Sequence, residues 1–340
     1  MSSRPTVPKT ASMSSSSSPR RWSYPEPWGR PSTPRQSSRD QAEVVEGFAG
    51  RPTRLSSHAI GLLLTTLGVL VLSPDSLFIR LVDADVWTIV FWRGLLMGLT
   101  IVTATAVWSR GGALAQFRSL GPVGLIVAAL FGSQLTLFAT SITHTSVANT
   151  LVIFATAPLF AAVLSRVFLG EPIPLRVWLA VTASLGAILY IFFGSIGTGR
   201  VSGDLAAAGA ALAMAIGLTI MRRNSHVSMV PAWGVGALLA AGFAASFADP
   251  FGISGEDVAV LLPSGILVLP ISFALIGHGP RRLSAPETGL LMILETIIGP
   301  LWVWWILEEQ PNAEALIGGA VVIAVLVANS LVGLRQPAPS

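Results

Sequence analysis

The sequence predicts an all-α integral membrane protein of ten transmembrane helices, arranged as two inverted five-helix repeats. Three observations carry this. Charged residues make up only 11% of the 340-residue chain and its mean hydropathy is +0.70, against about 25% charged residues in a soluble domain. Ten apolar segments follow one another through short connections between residues 58 and 334, each close to the roughly 20 residues a span needs. Two stretches 138 positions apart also share one pattern: Val147–Pro172 and Ala285–Pro311 each have a polar entry, a long apolar run, an internal proline and an acidic exit. In that register Ser146, Thr150, Leu169 and Glu171 meet Ser284, Thr288, Leu307 and Glu309, while Pro158 and Pro300 fall four positions out of step.

In chain order, residues 1–57 are rich in Ser, Pro and Arg and lack apolar clustering. They cannot bury enough surface to fold and read as a disordered cytoplasmic tail. The first repeat, residues 58–193, comprises His58–Val82, Val86–Trp108, Pro122–Ile142, Val147–Leu169 and Leu175–Phe193. The second, residues 203–334, comprises Gly203–Met221, Met229–Phe247, Val258–Ile276, Pro286–Leu307 and Ala313–Leu334. Ser73-Pro74-Asp75 interrupts the first span, and Pro263 and Pro270 interrupt the eighth. Pro158 and Pro300 interrupt the fourth and ninth, corresponding members of the two halves, where freed backbone groups can face a cavity. Small residues in Gly203–Gly217 predict close helix packing, and Trp87, Trp108, Trp178, Trp304 and Trp305 sit near predicted ends as interface anchors.

Arginine placement sets the orientation. One set of connections, with the C-terminal end, carries Arg110, Arg118, Arg166, Arg176, Arg222, Arg223, Arg281, Arg282 and Arg335, whereas the other carries only Arg80 and Arg200. Cytoplasmic loops hold the excess of basic residues, so both termini are expected in the cytoplasm. Five spans per half is an odd number, which inverts the second copy relative to the first.

Several function classes fall away. The pI near 10.5 suggests nucleic-acid binding, but 9 of the 21 basic residues lie in the first 57 positions and the rest dot short loops. There is no cysteine, and His58, His144, His226 and His278 have no metal-ligand spacing. Lys9 is the only lysine, so no GxxxxGK phosphate loop exists. GxSxG and HExxH are absent too. Neither enzyme activity nor a cofactor is expected.

Across residues 58–334 the chain resembles the ten-helix, EamA-type branch of the drug/metabolite transporter superfamily. The resemblance rests on Phe91–Leu99 (FWRGLLMGL) and on Ala157-Pro158 followed by Leu169-Gly170-Glu171. The second copy departs from it: Glu295-Thr296 stands where the repeat would put Ala-Pro, and Glu308 replaces the glycine before Glu309. The resemblance implies a secondary carrier, often an exporter of amino acids or related metabolites, with a central cavity between the halves.

Charges inside the spans are the sharpest local signal, since each costs about 2.5–3.5 kcal/mol at mid-span and so faces a cavity or a partner. Asp75 and Arg93 fall at similar depth on adjacent antiparallel helices. They form either a structural ion pair or a site in which Arg93 receives a carboxylate or phosphate. Glu295, near mid-membrane, either binds a proton or a cationic substrate group or is a hydrogen-bonded structural acid. Gln134, Asn149, Thr150 and Thr156 line the same expected cavity or merely bond between helices. Trp92 and Trp302 stand deep enough to contact substrate. The expected partners are a small-molecule substrate, coupled protons and membrane lipid, with spans five and ten as a homodimer surface and no nucleic acid. The expected location is a bacterial inner membrane. A non-transporting scaffold, a lipid scramblase, or an enzyme using Asp75 and Glu295 are the rival readings.

Overall fold

The structure, a computed structural model, describes residues 56–108, 112–170, 174–224, 229–277, 282–283 and 285–334. The expected tail, apart from Ser56 and Ser57, lies outside the described residues, as do Arg110, Glu171, Arg281 and Arg335. The rest folds into helices, with no strand among the described residues, inside one compact unit, Leu55–Ser340.

Local signals place the ends. Ser56 caps α1 (Ser57–Leu72) by accepting from the Ala59 amide at 3.1 Å. After the Ser73-Pro74 break come α2 (Asp75–Leu81), α3 (Val86–Trp108) and a short α4 (Ala113–Ser119). Next are α5 (Gly121–His144), α6 (Val147–Phe154, capped by Ser146) and α7 (Ala157–Leu169), which stops at Gly170 in the left-handed region. Then follow α8 (Leu175–Ser195), α9 (Val201–Arg223) and α10 (Val230–Ala244). The last are α11 (Gly255–Pro263), a π-helical turn Ser264–Val268, α12 (Leu269–Ile276), α13 (Ala285–Leu307) and α14 (Ala313–Leu334).

Eight helical stretches among the described residues are long and apolar enough to cross a membrane, with α1–α2, α6–α7 and α11–α12 each counting as one. Val230–Ala244 and Leu291–Leu307 are shorter apolar helices. The fifteen residues of α10 rise about 22 Å, less than the roughly 30 Å hydrocarbon core. The helix gives way to turns from Ala245, whose amide still bonds the Ala241 carbonyl at 2.9 Å.

The prolines behave differently from one another. Pro74 cannot donate to the Leu70 carbonyl, and the Ser73 hydroxyl takes that acceptor instead at 2.9 Å, so the break leaves no orphan. Between α6 and α7 the Thr156 hydroxyl donates to the Ile153 carbonyl, at 2.6 Å, and its own amide bonds the same carbonyl at 3.2 Å. The expected interruption at Pro300 is absent: α13 runs unbroken through it. One lost amide bond, to Thr296, is a smaller cost than opening further backbone groups toward lipid. Pro263 and Pro270 flank the π-helical turn, and span eight passes through it without ending.

Helices of the two halves interleave. α10 lies against both α3 and α5, and α9 against α5 and α7. Small residues allow this closeness. A Cβ on Gly94 would stand 2.5 Å from the Ala237 carbonyl oxygen, and one on Gly132 2.6 Å from that of Gly236. Gly170 and Glu308, 138 positions apart, both take positive φ, 71° and 56°. For glutamate that conformation costs roughly 1–3 kcal/mol.

Candidate functional site

Polar contacts gather at two levels of the bundle. The deeper one is built at the Ser73-Pro74 break, which turns Asp75 into the first residue of α2. Arg93 of α3 grips the Asp75 carboxylate with both terminal nitrogens, Nη1 to Oδ1 at 2.7 Å and Nη2 to Oδ2 at 2.8 Å. Arg93 is 1% exposed and Asp75 4%, so the pair is desolvated. Ser264, first residue of the π-helical turn, closes the triangle. Its hydroxyl accepts from Arg93 Nη1 at 3.1 Å and donates to Asp75 Oδ1 at 3.3 Å. Single π turns inside helices recur at functional sites, and this one brings span eight to the ion pair.

The α13 helix supplies the third side. Half-buried Glu295 interacts electrostatically with Asp75. One turn on, a Cβ at Gly299 would lie 3.4 Å from the Ser76 hydroxyl, and Trp302 Nε1 donates to the Ser73 hydroxyl at 3.1 Å. Asp75, Arg93, Glu295 and Trp302 are therefore brought together around one helix break. Arg93 Nε and the Ser76 hydroxyl are buried with no protein partner, so the cluster retains unused polar capacity.

The remaining candidates lie apart from it. Gln134 is buried with its Oε1 unpartnered, and no hydrogen bond links it to the cluster. Thr150 bonds Ser141 at 2.7 Å, and Thr156 serves the α6–α7 turn. Pro158 is exposed on the bundle surface rather than facing a cavity, and Pro300 borders a small space beside Ser146 and Glu309. Asn149 belongs to a network that the sequence reading missed. Asp204, fully buried in the first turn of α9, accepts from Thr145 Oγ1 at 2.7 Å, from Asn149 Nδ2 at 3.1 Å and from Ser195 Oγ. An acid one position inside an apolar segment was the available signal, and a helix N-terminus suits it. This carboxylate ties α5, α6, α8 and α9 together. Asp204→Leu would strand three donors, each charged hydrogen bond being worth about 1.5–3 kcal/mol. The variant is expected to lose most folded yield by size-exclusion profile, with activity falling only in proportion.

The second level lies at the arginine-poor end. Arg80 donates from Nε to Glu309 Oε2 at 2.8 Å and from Nη1 to the Ile142 carbonyl at 2.9 Å. The Asp83 amide bonds Asp257 at 3.0 Å, and the Asp249 amide bonds Thr88 at 2.9 Å. A cavity of about 210 Å³ opens here, bordered by Arg80, His144, Ser146, Arg200, Glu309 and Gln310. Elsewhere, Phe131, Trp233 and Phe273 pack ring to ring across α5, α10 and α12, with centroids 5.4–6.2 Å apart.

Residues 59–193 match the sequence model of the EamA-like transporter family. Among 16 chains of solved structures that match, one described as "Crystal structure of protein" aligns over 82% of this chain and 100% of its own, with a TM-score of 0.60 and 18% identity. At that identity the likeness is one of fold. No curated protein matches the chain. The match places residues 59–193 in the EamA-like transporter family and so in the drug/metabolite transporter superfamily, and the helices long and apolar enough to cross a membrane agree with it.

Proposed function

We propose that the protein is a secondary transporter that exports small polar metabolites, amino acids among them, by alternating access. In this reading ten segments form two inverted five-helix repeats in a bacterial inner membrane, with both termini cytoplasmic. The observation that carries it is the buried Asp75–Arg93–Ser264 triangle with Glu295 beside it. One guanidinium holds the Asp75 carboxylate while a second carboxyl, Glu295, stands close by, and broken or π-helical backbone from both halves meets there. Such sites at interrupted helices near the bilayer midplane are where carriers of this plan hold substrate.

The geometry supports a simple cycle. A substrate carboxylate competes with Asp75 for Arg93, and a proton or a substrate ammonium group balances Glu295. The Arg80–Glu309 contact ties α2 to the chain after α13 and holds the arginine-poor end. The Phe131–Trp233–Phe273 stack closes helices of both halves against one another. Breaking one set while keeping the other exposes the cluster to one side at a time. The outward-facing Leu179, Leu189, Leu316 and Ile317 of α8 and α14 form the surface for lipid or for a second copy.

Topology is a direct check. Fusions of an enzyme active only outside the cytoplasm are expected to report at residues 194–202 and 248–256 and to stay silent at 110–120 and 222–227. The reverse pattern at 194–202 and 222–227 would overturn the inverted arrangement.

A further inference from the structure

The cavity at the arginine-poor end has its own chemistry. All the residues bordering it are polar or charged, in a chain that is 52% hydrophobic. At about 210 Å³ it has room for roughly seven waters at about 30 Å³ each. Pockets for drug-sized ligands run from about 300 to 1,000 Å³, so the ligand it fits has few heavy atoms.

Its charged groups are only partly committed. Arg80 spends Nε on Glu309 and Nη1 on the Ile142 carbonyl, which leaves Nη2 open. Glu309 accepts through Oε2 and leaves Oε1 open. The Arg200 side chain makes no hydrogen bond or ion pair among the described residues. Two guanidinium groups and one carboxylate with free positions around one small polar space match a molecule bearing both a carboxylate and an ammonium group. Ser146 and Glu309 also border a second, much smaller space of about 10 Å³, which Val147, Pro300 and Val303 help to line. Glu295 stands five residues before Pro300 on the same helix.

We infer that this cavity is a second binding site, distinct from the buried cluster, for a small zwitterionic amino acid. Arg200 and Arg80 Nη2 receive its carboxylate and Glu309 Oε1 its ammonium group. The site's role as a staging post for cargo rests on the transport reading; its ability to bind does not.

The absence of native cysteine makes the test clean. A single thiol at exposed Gln310, Gln310→Cys, is modified in purified protein by an anionic methanethiosulfonate, with glycine, acetate or methylamine as the probe. Glycine at about ten times its dissociation constant should slow modification roughly tenfold by occupancy, and acetate and methylamine at that concentration should not. Arg200→Gln should abolish protection and slow the anionic reagent by removing a positive charge from the cavity. Arg200→Lys should retain part of both effects. Protection should survive in the Asp75→Leu, Arg93→Leu double variant. Equal rates with and without glycine, or undiminished protection in Arg200→Gln, would overturn the site. Equal protection by acetate would overturn the zwitterion assignment. Glycine protection in a protein that carries no flux would keep the site and count against the transport reading instead.

Discussion

Arg93→Leu and Asp75→Leu are each expected to collapse the folded yield, and the double variant to recover most of it. Each single change leaves a charge buried without its partner, a loss of about 3–5 kcal/mol, whereas replacing a buried pair with apolar groups is often neutral. The bidentate geometry and near-zero exposure of Arg93 put this pair in that regime rather than among surface ion pairs. Ser264 bonds both members, so Ser264→Ala should cost less than either and couple to both. The measurement is a double-mutant cycle on thermal unfolding in detergent. Additive losses would show that the pair stabilises nothing jointly. Transport divides the roles further. A double variant that folds but carries no flux identifies Arg93 as a substrate contact, and one that folds and transports makes it a structural staple.

Glu295→Gln should separate two uses of the third carboxyl. The cluster holds one guanidinium, and its charge is matched by Asp75, so an ionised Glu295 has no further charge to match it there. In the transport reading a proton or a substrate ammonium group supplies the balance. Glutamine keeps the shape and fixes the site as neutral. If Glu295 couples protons, the variant folds normally and loses pH-driven accumulation but keeps substrate-for-substrate exchange. If it binds ammonium, both activities fall and affinity weakens about 10- to 100-fold, the equivalent of one charged hydrogen bond. Unchanged transport at every pH would leave Glu295 a purely structural role.

Much of this was legible from residue order because a bilayer constrains a chain so tightly. The bounds of Val86–Trp108 are the same in the sequence reading and in the structure. Asp75 and Arg93 could be paired because they sit on consecutive antiparallel helices. What stayed hidden depends on distant partners. Ser264 joins Asp75 across 189 positions and Glu309 joins Arg80 across 229, and no local pattern announces either. The prolines show the same limit. Each marks a missing donor, but whether the helix breaks depends on what takes the freed carbonyl. At Pro74 a neighbouring serine takes it, and at Pro300 the helix runs on. Asn149 looked like a cavity residue because its partner Asp204 lies 55 positions away.

Counterflow in proteoliposomes reads carrier activity and the part of the buried pair in it together. Vesicles containing the purified protein are loaded with unlabelled amino acids and related small polar metabolites, and entry of the matching labelled compounds is followed. Wild-type protein should transiently concentrate at least one compound above its equilibrium level. The folded Asp75→Leu, Arg93→Leu double variant should behave like empty liposomes. Wild-type traces indistinguishable from empty liposomes for every compound, or a double variant that exchanges at the wild-type rate, would contradict it.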